Sequence, residues 1–184
     1  DSRVPLSAGG VVDLAGNYGG TDVRRRWDGQ LAGRPFELVV GSSWDRQNQQ
    51  RRGYENFVGN TLGVTGALRR NERDLVWDFD QYAQANWRLS PRWSLSGGLR
   101  HSSVHFGVED YYVTAGNPDD SGRRSYAATT PVAGVLFRAG LDWHLYASWG
   151  QGFETPTFNE LGYRSDRNSG LNLGLQAARS KNFE

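Results

Sequence analysis

The alternation of apolar and polar side chains over residues 74–89 constrains the fold of this chain more than any other stretch. Successive side chains of a β-strand point to opposite sides, so positions two apart share a face. One face holds Leu75, Trp77, Phe79, Ala83, Ala85, Trp87 and Leu89, and the other holds Asp74, Asp78, Asp80, Tyr82, Gln84, Asn86 and Arg88. The stretch therefore predicts a strand with one apolar and one polar face.

Weaker alternation predicts six further strands, and the segments between them predict the topology. These strands are expected within 12–27, 36–45, 93–108, 135–139, 143–153 and 171–175, the last resuming after Ala178. The short connections are 28–35, 90–92 and 139–142, and the long ones are 46–73, 109–126 and 154–170. Short turns at one end and long loops at the other are typical of membrane barrels. We predict an all-β chain, an antiparallel meander of about seven strands.

Two local patterns make sharper predictions. The even positions near the start form a weak apolar face, namely Val12, Leu14, Gly16 and Tyr18. Beyond His101 the apolar positions change from odd to even, with Val104, Phe106 and Val108. A change of phase predicts a β-bulge or an exit of the strand from the apolar layer.

The large aromatic residues predict two belts on the apolar face. The predicted membrane girdle comprises Trp77, Trp87, Trp93, Trp143 and Phe153. Trp77 and Trp87 lie ten residues apart, as do Trp143 and Phe153. At about 3.3 Å per residue and a tilt of about 40°, ten residues rise about 25 Å, the height of the apolar band of a barrel.

Composition restricts the class of protein without identifying it. No run approaches the roughly 18–20 apolar residues that a membrane helix needs. The mean hydropathy of −0.67 does not exclude a barrel, whose lumen-facing residues lower the average. A net charge of +1 gives no reason to expect nucleic acid, and the absence of cysteine excludes a disulfide framework. Because the sequence also lacks methionine, we expect an internal piece of a longer, processed chain.

A motif within WHLYASWGQGFETPTFNEL, residues 143–161, supplies a resemblance. Gly152, Phe153, Pro156, Asn159 and Glu160, followed by GLNLGLQAARSKNFE at the end of the chain, resemble two ordered motifs of TonB-dependent outer-membrane receptors. The resemblance covers roughly 36–184. We interpret the motif residues as shaping the exit of a strand into a loop rather than as ligand contacts.

The resemblance implies a fold and a function. Residues 1–184 would be an incomplete segment of a large transmembrane β-barrel, since such transporters have 22 strands and a plugged lumen. The whole receptor would import an iron chelate (siderophore) or similar scarce nutrient across the outer membrane of a Gram-negative bacterium. Its partners would be outer-membrane lipid, the small-molecule ligand and TonB, contacted through a plug domain outside this sequence. Seven strands leave unpaired edges, so an isolated segment would also associate edge to edge.

Ligand contacts are expected in the long loops. The candidates are Arg51, Arg52, Tyr54, Tyr111, Tyr112, Arg123 and Arg124. Arginine and tyrosine suit an anionic, aromatic-rich chelate because they offer charge-assisted hydrogen bonds and aromatic faces.

Other chemistries find less support in the sequence. His101 and His105 would lie about 13 Å apart on a strand, which argues against a metal site. The serines lack a G-x-S-x-G motif, so no catalytic residue, cofactor or metal is expected. The main alternative is a soluble extracellular β-sandwich that binds carbohydrate or protein, with the tryptophans packed between two sheets. A third, a lipolytic outer-membrane barrel, would need a buried serine–histidine pair.

Overall fold

The computed structural model describes residues 10–140, 142–161 and 171–184, except for the side chain of residue 159. A single antiparallel sheet contains seven strands, which are β1 (Val11–Leu31), β2 (Arg34–Tyr54), β5 (Leu68–Trp87), β6 (Trp93–Asp110), β7 (Gly122–Arg138), β8 (His144–Glu154) and β9 (Ala178–Phe183). They follow one another in chain order, so the predicted meander of about seven strands is confirmed.

Three small elements lie outside this sheet. A separate hairpin joins β3 (Phe57–Val58) and β4 (Thr61–Leu62), and helix α1 spans Phe158–Leu161. No helix within the described residues is long and apolar enough to cross a membrane.

The turn between β1 and β2 is shorter than the predicted connection 28–35. Leu31 pairs with Arg34, which leaves a two-residue turn of Ala32 and Gly33 with φ of 53° and 71°. Positive φ at both positions gives a turn whose twist matches that of the flanking strands.

The predicted loops 46–73 and 109–126 are too long. β2 continues to Tyr54 and β7 begins at Gly122, so the irregular connections are 55–67 and 111–121. Apolar–polar alternation did not predict the additional length of these strands because both faces are polar there. Cross-strand bonds instead support the ladder, with Arg73 Nε donating to Asn48 Oδ1 at 2.8 Å and Gln50 Nε2 to Asn71 Oδ1 at 2.7 Å.

The predicted strand through Leu171, Leu173 and Leu175 is wrong, although the strand after it begins at Ala178 as expected. These leucines have no ladder partner within the described residues and instead pack against β6 and β7. Leu171 is buried, and Leu173 and Leu175 cover the same apolar cluster. Their alternation reflects packing rather than extended pairing.

The register assigns every strand residue to one of two faces. The apolar face is the side of the sheet that carries Trp77, and the polar face is the side that carries Asp78. Trp77 stacks on His105, and Trp93 packs on Phe137, which confirms that these odd positions of β5, β6 and β7 share the apolar face.

Two face predictions are corrected by this register. Tyr18 donates to Asp45 on the polar face, so the even positions of β1 do not form an apolar layer. No bulge interrupts β5 and β6, which pair without a register shift. Phe106 and Val108 lie on the polar face, in an apolar cluster at its loop-side end. The apolar face of β6 continues as His105, Gly107 and Glu109, so β6 does leave the apolar layer there.

This cluster is the main buried core of the described residues. Its members are Phe106, Val108, Tyr126, Leu161 and Leu171, with Phe153 and Phe158 packed against it. The chain after β8 therefore folds back over the polar face instead of extending freely.

Replacing Leu161 with alanine tests the importance of this cluster. Leu161 is 0% exposed, so Leu161→Ala should lower the free energy of unfolding by about 2–5 kcal/mol. Val58→Ala, in the exposed hairpin, is the control and should cost less than about 0.5 kcal/mol. Denaturant titration of the purified protein measures both, and equal losses would contradict the assignment of Leu161 to a core.

Candidate functional site

The middle of the polar face is a hydrogen-bonded network of acids, tyrosines and arginines. Tyr18 donates to Asp45, Tyr82 donates to Asp22 at 3.0 Å, and Arg100 pairs with Asp80. Glycine at position 41 makes room for Tyr82, since any Cβ there would collide with the phenol ring. Such a surface suits contact with water or a polar ligand rather than with lipid.

A cavity of about 330 Å³ lies between this network and the strand exit after β8. Asp78, Asp80 and Arg100 line one side of it, and Gly152, Phe153 and Thr155 line another. Residues from the sequence motif thus border a polar cavity without supplying its charges.

A second charged group lies at the loop-side end of the polar face. Glu72 contacts Arg70 at 3.2 Å and Arg51 at 3.9 Å, and its residue is only 6% exposed. Asp74, 3% exposed, lies on the same face of β5, and Arg124 lies on that face two strands away on β7; we call these charged residues together the inner mouth. Within the described residues Glu72 Oε1, Asp74 Oδ1 and Arg124 Nε are buried without a hydrogen-bond partner. The inner mouth therefore has hydrogen-bonding capacity to offer.

The seven predicted ligand contacts do not form one group. Five of them lie in strands rather than loops, which corrects the prediction for Arg51, Arg52, Tyr54, Arg123 and Arg124. Arg51 and Arg124 belong to the polar face and the inner mouth. Their neighbours Arg52 and Arg123 have the opposite parity and belong to the apolar face.

The predicted tyrosines stand at the loop ends. Tyr54 ends β2 beside a register shift. Tyr111 is exposed and donates to Glu109 Oε2 at 2.6 Å, whereas Tyr112 is half-buried, with its backbone N–H donating to Asp110 Oδ1. Connection 111–121 therefore begins beside the inner mouth.

The sequence motif builds the strand exit. Thr157 and Glu160 form a capping box, in which the Thr157 backbone donates to Glu160 Oε2 at 2.8 Å and the Glu160 backbone donates to Thr157 Oγ1 at 3.2 Å. The first of these bonds holds the pKa of Glu160 below its ordinary value of 4.5. The cap starts α1, which places Leu161 in the core.

Other motif positions have different surroundings. Gly152 faces Ser180 on β9 so closely that a Cβ would collide with its hydroxyl. Phe153 packs against the apolar cluster, a contact that the girdle prediction did not include. Pro156 is half-buried, and the side chain of Asn159 lies outside the described residues.

The six tryptophans within strands all lie on the apolar face. By register and alternation these are Trp27, Trp44, Trp77, Trp87, Trp93 and Trp149. Trp93 is 44% exposed, and Trp143, directly before β8, is 72% exposed. They are not packed against a second sheet in the part of the chain that the structure describes.

The aromatic boundary near the short turns runs obliquely across the strands. From β1 to β8 it is marked by Trp27, Phe36, Trp87, Trp93, Phe137 and Trp143. Trp27 on β1 pairs with Leu38 on β2, and Phe36 lies two residues nearer to the short turn than Leu38. Phe36 pairs directly with Trp87, so the boundary does not move between β2 and β5. The same two-residue step recurs from β5 to β6 and from β7 to β8, with none between β6 and β7.

These steps give the angle between the strands and the boundary. Six residues of displacement correspond to about 20 Å, and five strand spacings to about 24 Å, so the strands incline by about 40° from the normal to the boundary. At the opposite boundary Trp77 lies two residues farther from the turns than Trp44, and Trp149 lies six residues nearer to them than Trp44, so the overall shift from β2 to β8 has the same sense. Barrel strands in membranes tilt by about 35–45°.

The side chains of His101 and His105 lie within hydrogen-bond distance of hydroxyl groups. His101 Nδ1 lies 2.9 Å from Thr129 Oγ1, and His105 Nδ1 lies 2.8 Å from Ser125 Oγ, on the apolar face. Ser103 Oγ is 3.5 Å from an exposed His101 ring, unlike the buried pair that a lipolytic site requires. No group of three potential metal ligands occurs among the described residues.

The sequence analysis assigned Asp74, Asp78 and Asp80 to the polar face but did not predict that acids there are buried, and it did not include Glu72. Glu72, Asp74 and Asp80 are buried, yet in sequence they appear as solvated charge. Their shared parity with Asp78 was the available signal, since four acids at alternate positions must line one side of a strand.

Comparison with known proteins agrees with this geometry. A family model described as "TonB dependent receptor-like, beta-barrel" matches residues 3–184. The fold is similar to that of the ferric citrate transporter FecA in its unliganded form, with a TM-score of 0.68 and 17% sequence identity. The match covers 94% of this chain but 25% of the FecA chain, so this chain spans about a quarter of that protein's length. On the family match, which includes nearly the whole sequence, the chain belongs to the TonB-dependent receptor-like β-barrel family.

Proposed function

We propose that this chain forms part of the membrane-spanning wall of an outer-membrane receptor that imports a small ligand in a TonB-dependent manner. The observation that carries this proposal is the oblique apolar band, which is bounded by aromatic residues and backed by a charged, hydrogen-bonded face. A barrel wall needs this combination because one side contacts hydrocarbon and the other lines an aqueous interior.

The geometry favours a membrane over the rival β-sandwich. A sandwich buries its apolar face under a second sheet about 10 Å away. Here the aromatic boundary near the short turns is inclined by about 40° across the strands, which a lipid boundary explains and a sandwich core does not require.

The proposed ligand is an iron chelate of the siderophore type or another scarce nutrient. Support comes from the family and from the inner mouth, where Arg51 and Arg124 belong to the polar face near its loop-side end. The similar structure is named a ferric citrate transporter, and we extend that class of ligand, an anionic iron chelate, to the proposed receptor. Glu72 already contacts Arg51, so ligand binding would compete with that ion pair.

Energy coupling would require parts of the receptor beyond this segment. We propose that residues 1–184 are one portion of its barrel domain and that TonB acts through a plug domain. The edge strands β1 and β9 would pair with further strands of the barrel, and two isolated segments would pair with each other at these edges.

A matched pair of arginine substitutions on β5 tests the membrane assignment. Ala83 lies on the apolar face inside the band and its neighbour Gln84 on the polar face. In the complete receptor, Ala83→Arg should destabilise the inserted barrel by about 2–4 kcal/mol, whereas Gln84→Arg should have little effect. Folding into lipid vesicles under a denaturant titration measures both, and equal tolerance of both substitutions would argue for a soluble sheet.

Tryptophan fluorescence in brominated lipid provides an independent check. Trp77, Trp87, Trp93 and Trp143 should each be quenched when the complete receptor is placed in vesicles of bromine-labelled phospholipid. Labels near the headgroup should quench them more than labels at the bilayer centre, because belt residues lie at the interface. If aqueous iodide quenched the fluorescence of these tryptophans and bromine-labelled lipid did not, their assignment to a membrane belt would be wrong.

A second matched set tests the ligand contacts. The double variant Arg51→Gln and Arg124→Gln removes two charges from the inner mouth, and Arg52→Gln with Arg123→Gln removes two from the opposite face. Loss of charge-assisted hydrogen bonds of about 1.5–3 kcal/mol predicts about 10–100-fold weaker ligand binding for the Arg51 and Arg124 variant. The Arg52 and Arg123 variant should bind the ligand with unchanged affinity. Titration of the complete receptor with ferric chelates measures both, and identical affinities would remove Arg51 and Arg124 from the site.

A further inference from the structure

We propose that the inner mouth binds a proton together with its anionic ligand, and that Asp74 carries this proton. The inference rests on the proposed function, since it concerns the same ligand at the same end of the polar face. It adds a second ligand of defined chemistry, the proton, and names the side chain that holds it.

Two acids of the inner mouth are buried on the same face of one strand. Glu72 and Asp74 lie two residues apart on β5, and they are 6% and 3% exposed. Both lie on the loop side of Trp77 and therefore outside the apolar band. Burial and a neighbouring carboxylate both favour the neutral form of an acid, so the pair favours a state with one bound proton.

The nearest arginines contact only one of the two acids. Arg70 Nε lies 3.2 Å from Glu72 Oε2, and Arg51 Nη1 lies 3.9 Å from Glu72 Oε1. Asp74 has no salt bridge among the described residues, and its buried Oδ1 has no hydrogen-bond partner there. Asp74 is therefore the member of the pair on which a proton is the more stable.

The other elements around Asp74 add little positive charge. Its partners on the neighbouring strands are Gln49 of β2 and Val108 of β6, which are uncharged. The remaining charged groups at this end of the polar face are one cation and two acids, namely Arg124 on β7, Asp110 on β6 and Asp120 in the connection after β6. Burial raises the pKa of Glu72, and the charges of these two acids add to that effect.

These surroundings hold Asp74 near the midpoint of its titration at neutral pH. Burial first and the charge of Glu72 second raise the pKa of Asp74 to about 7, whereas the charges of Arg51 and Arg70 lower it. Any loss of positive charge from Arg51 would therefore raise this pKa further.

The ligand and the acid pair compete for Arg51. An anionic ligand bound to this guanidinium takes up part of the positive charge that now acts on Glu72 and Asp74. The buried pair would then hold more negative charge than its surroundings compensate, which is costly. Uptake of one proton from solvent by Asp74 removes the excess. Proton and ligand therefore strengthen each other's binding by the same factor.

This coupling has a definite sign. At a pH well below 7 Asp74 already carries its proton in the ligand-free receptor, so ligand binding takes up almost none. Above pH 7 the ligand-free acid is ionised, and each bound ligand brings up to one proton with it. The affinity for the ligand should therefore fall as the pH rises above 7, by at most about tenfold per pH unit.

Calorimetry of the complete receptor in detergent measures the proton uptake directly. Ferric citrate is titrated near pH 8 in two buffers with different heats of ionisation, and the difference in binding heat gives the protons taken up. The wild type should take up about 0.5–1 proton per ligand more than Asp74→Asn, whose amide stays neutral. Its Kd should rise about threefold to fivefold more between pH 7 and pH 8 than that of the variant, which carries the same contribution from ionisation of the ligand.

Two further variants provide a control and a test without ligand. Asp13→Asn removes an exposed acid at the same end of the sheet and on the opposite face, and it should take up as many protons as the wild type. In ligand-free Arg51→Gln, the infrared band of a protonated carboxyl should persist to a higher pH than in the wild type, and Asp74→Asn should lack that band. An unshifted carboxyl titration in Arg51→Gln would overturn the inference.

The same titrations separate this inference from the proposed function. Binding of ferric citrate with equal proton uptake by the wild type and Asp74→Asn would reject the proton site and leave the anionic ligand in place. A wild-type receptor that bound no ferric citrate at any pH would contradict the proposed anionic iron chelate, and the proton site would be rejected with it.

Discussion

The backbone ladder that joins β1, β2, β5, β6 and β7 is the constraint on which the rest of the structure depends. Lipid offers backbone groups no hydrogen bonds, so a membrane sheet must pair them internally. β5 and β6 pair over their shared length without a register shift, as do β6 and β7. An unbroken register assigns each side chain permanently to one face. The separation of apolar from polar side chains, and the oblique aromatic boundary near the short turns, both follow from it.

Where the backbone pairing of β7 with β8 ends, side-chain packing covers the rest of β7. β7 pairs with β8 only from Val132 to Arg138, and Pro131, which cannot donate a backbone hydrogen bond, stands where pairing ends. Beyond that point Tyr126 donates to the carbonyl of Leu175 at 2.9 Å, and Leu173 approaches Gly122. The returning segment thus covers the unpaired half of β7 by packing, and the motif after β8 starts this return.

Sequence predicts those parts of the fold in which the two faces differ in chemistry. β5 was recognisable because acids oppose aromatics throughout. The second half of β2 was not, since Arg46 and Asn48 alternate with Gln47 and Gln49 and give no contrast. Leu171, Leu173 and Leu175 show the opposite error, because an alternating pattern without a ladder partner forms no strand. Arg51 and Arg52 are chemically identical, so only the register could assign one to each face.

The family motif contributes to the core, whereas the charged residues of the inner mouth come from other strands. Phe153 and Leu161 organise the core near the inner mouth but contribute no charge to it. Charge comes instead from strands in the first two-thirds of the chain, where neighbouring arginines and acids project to opposite sides. A one-residue shift of register would exchange Arg51 with Arg52 and Arg124 with Arg123, and would move Asp78 into the apolar band. The register therefore determines which charged side chains share a face as much as it determines the fold.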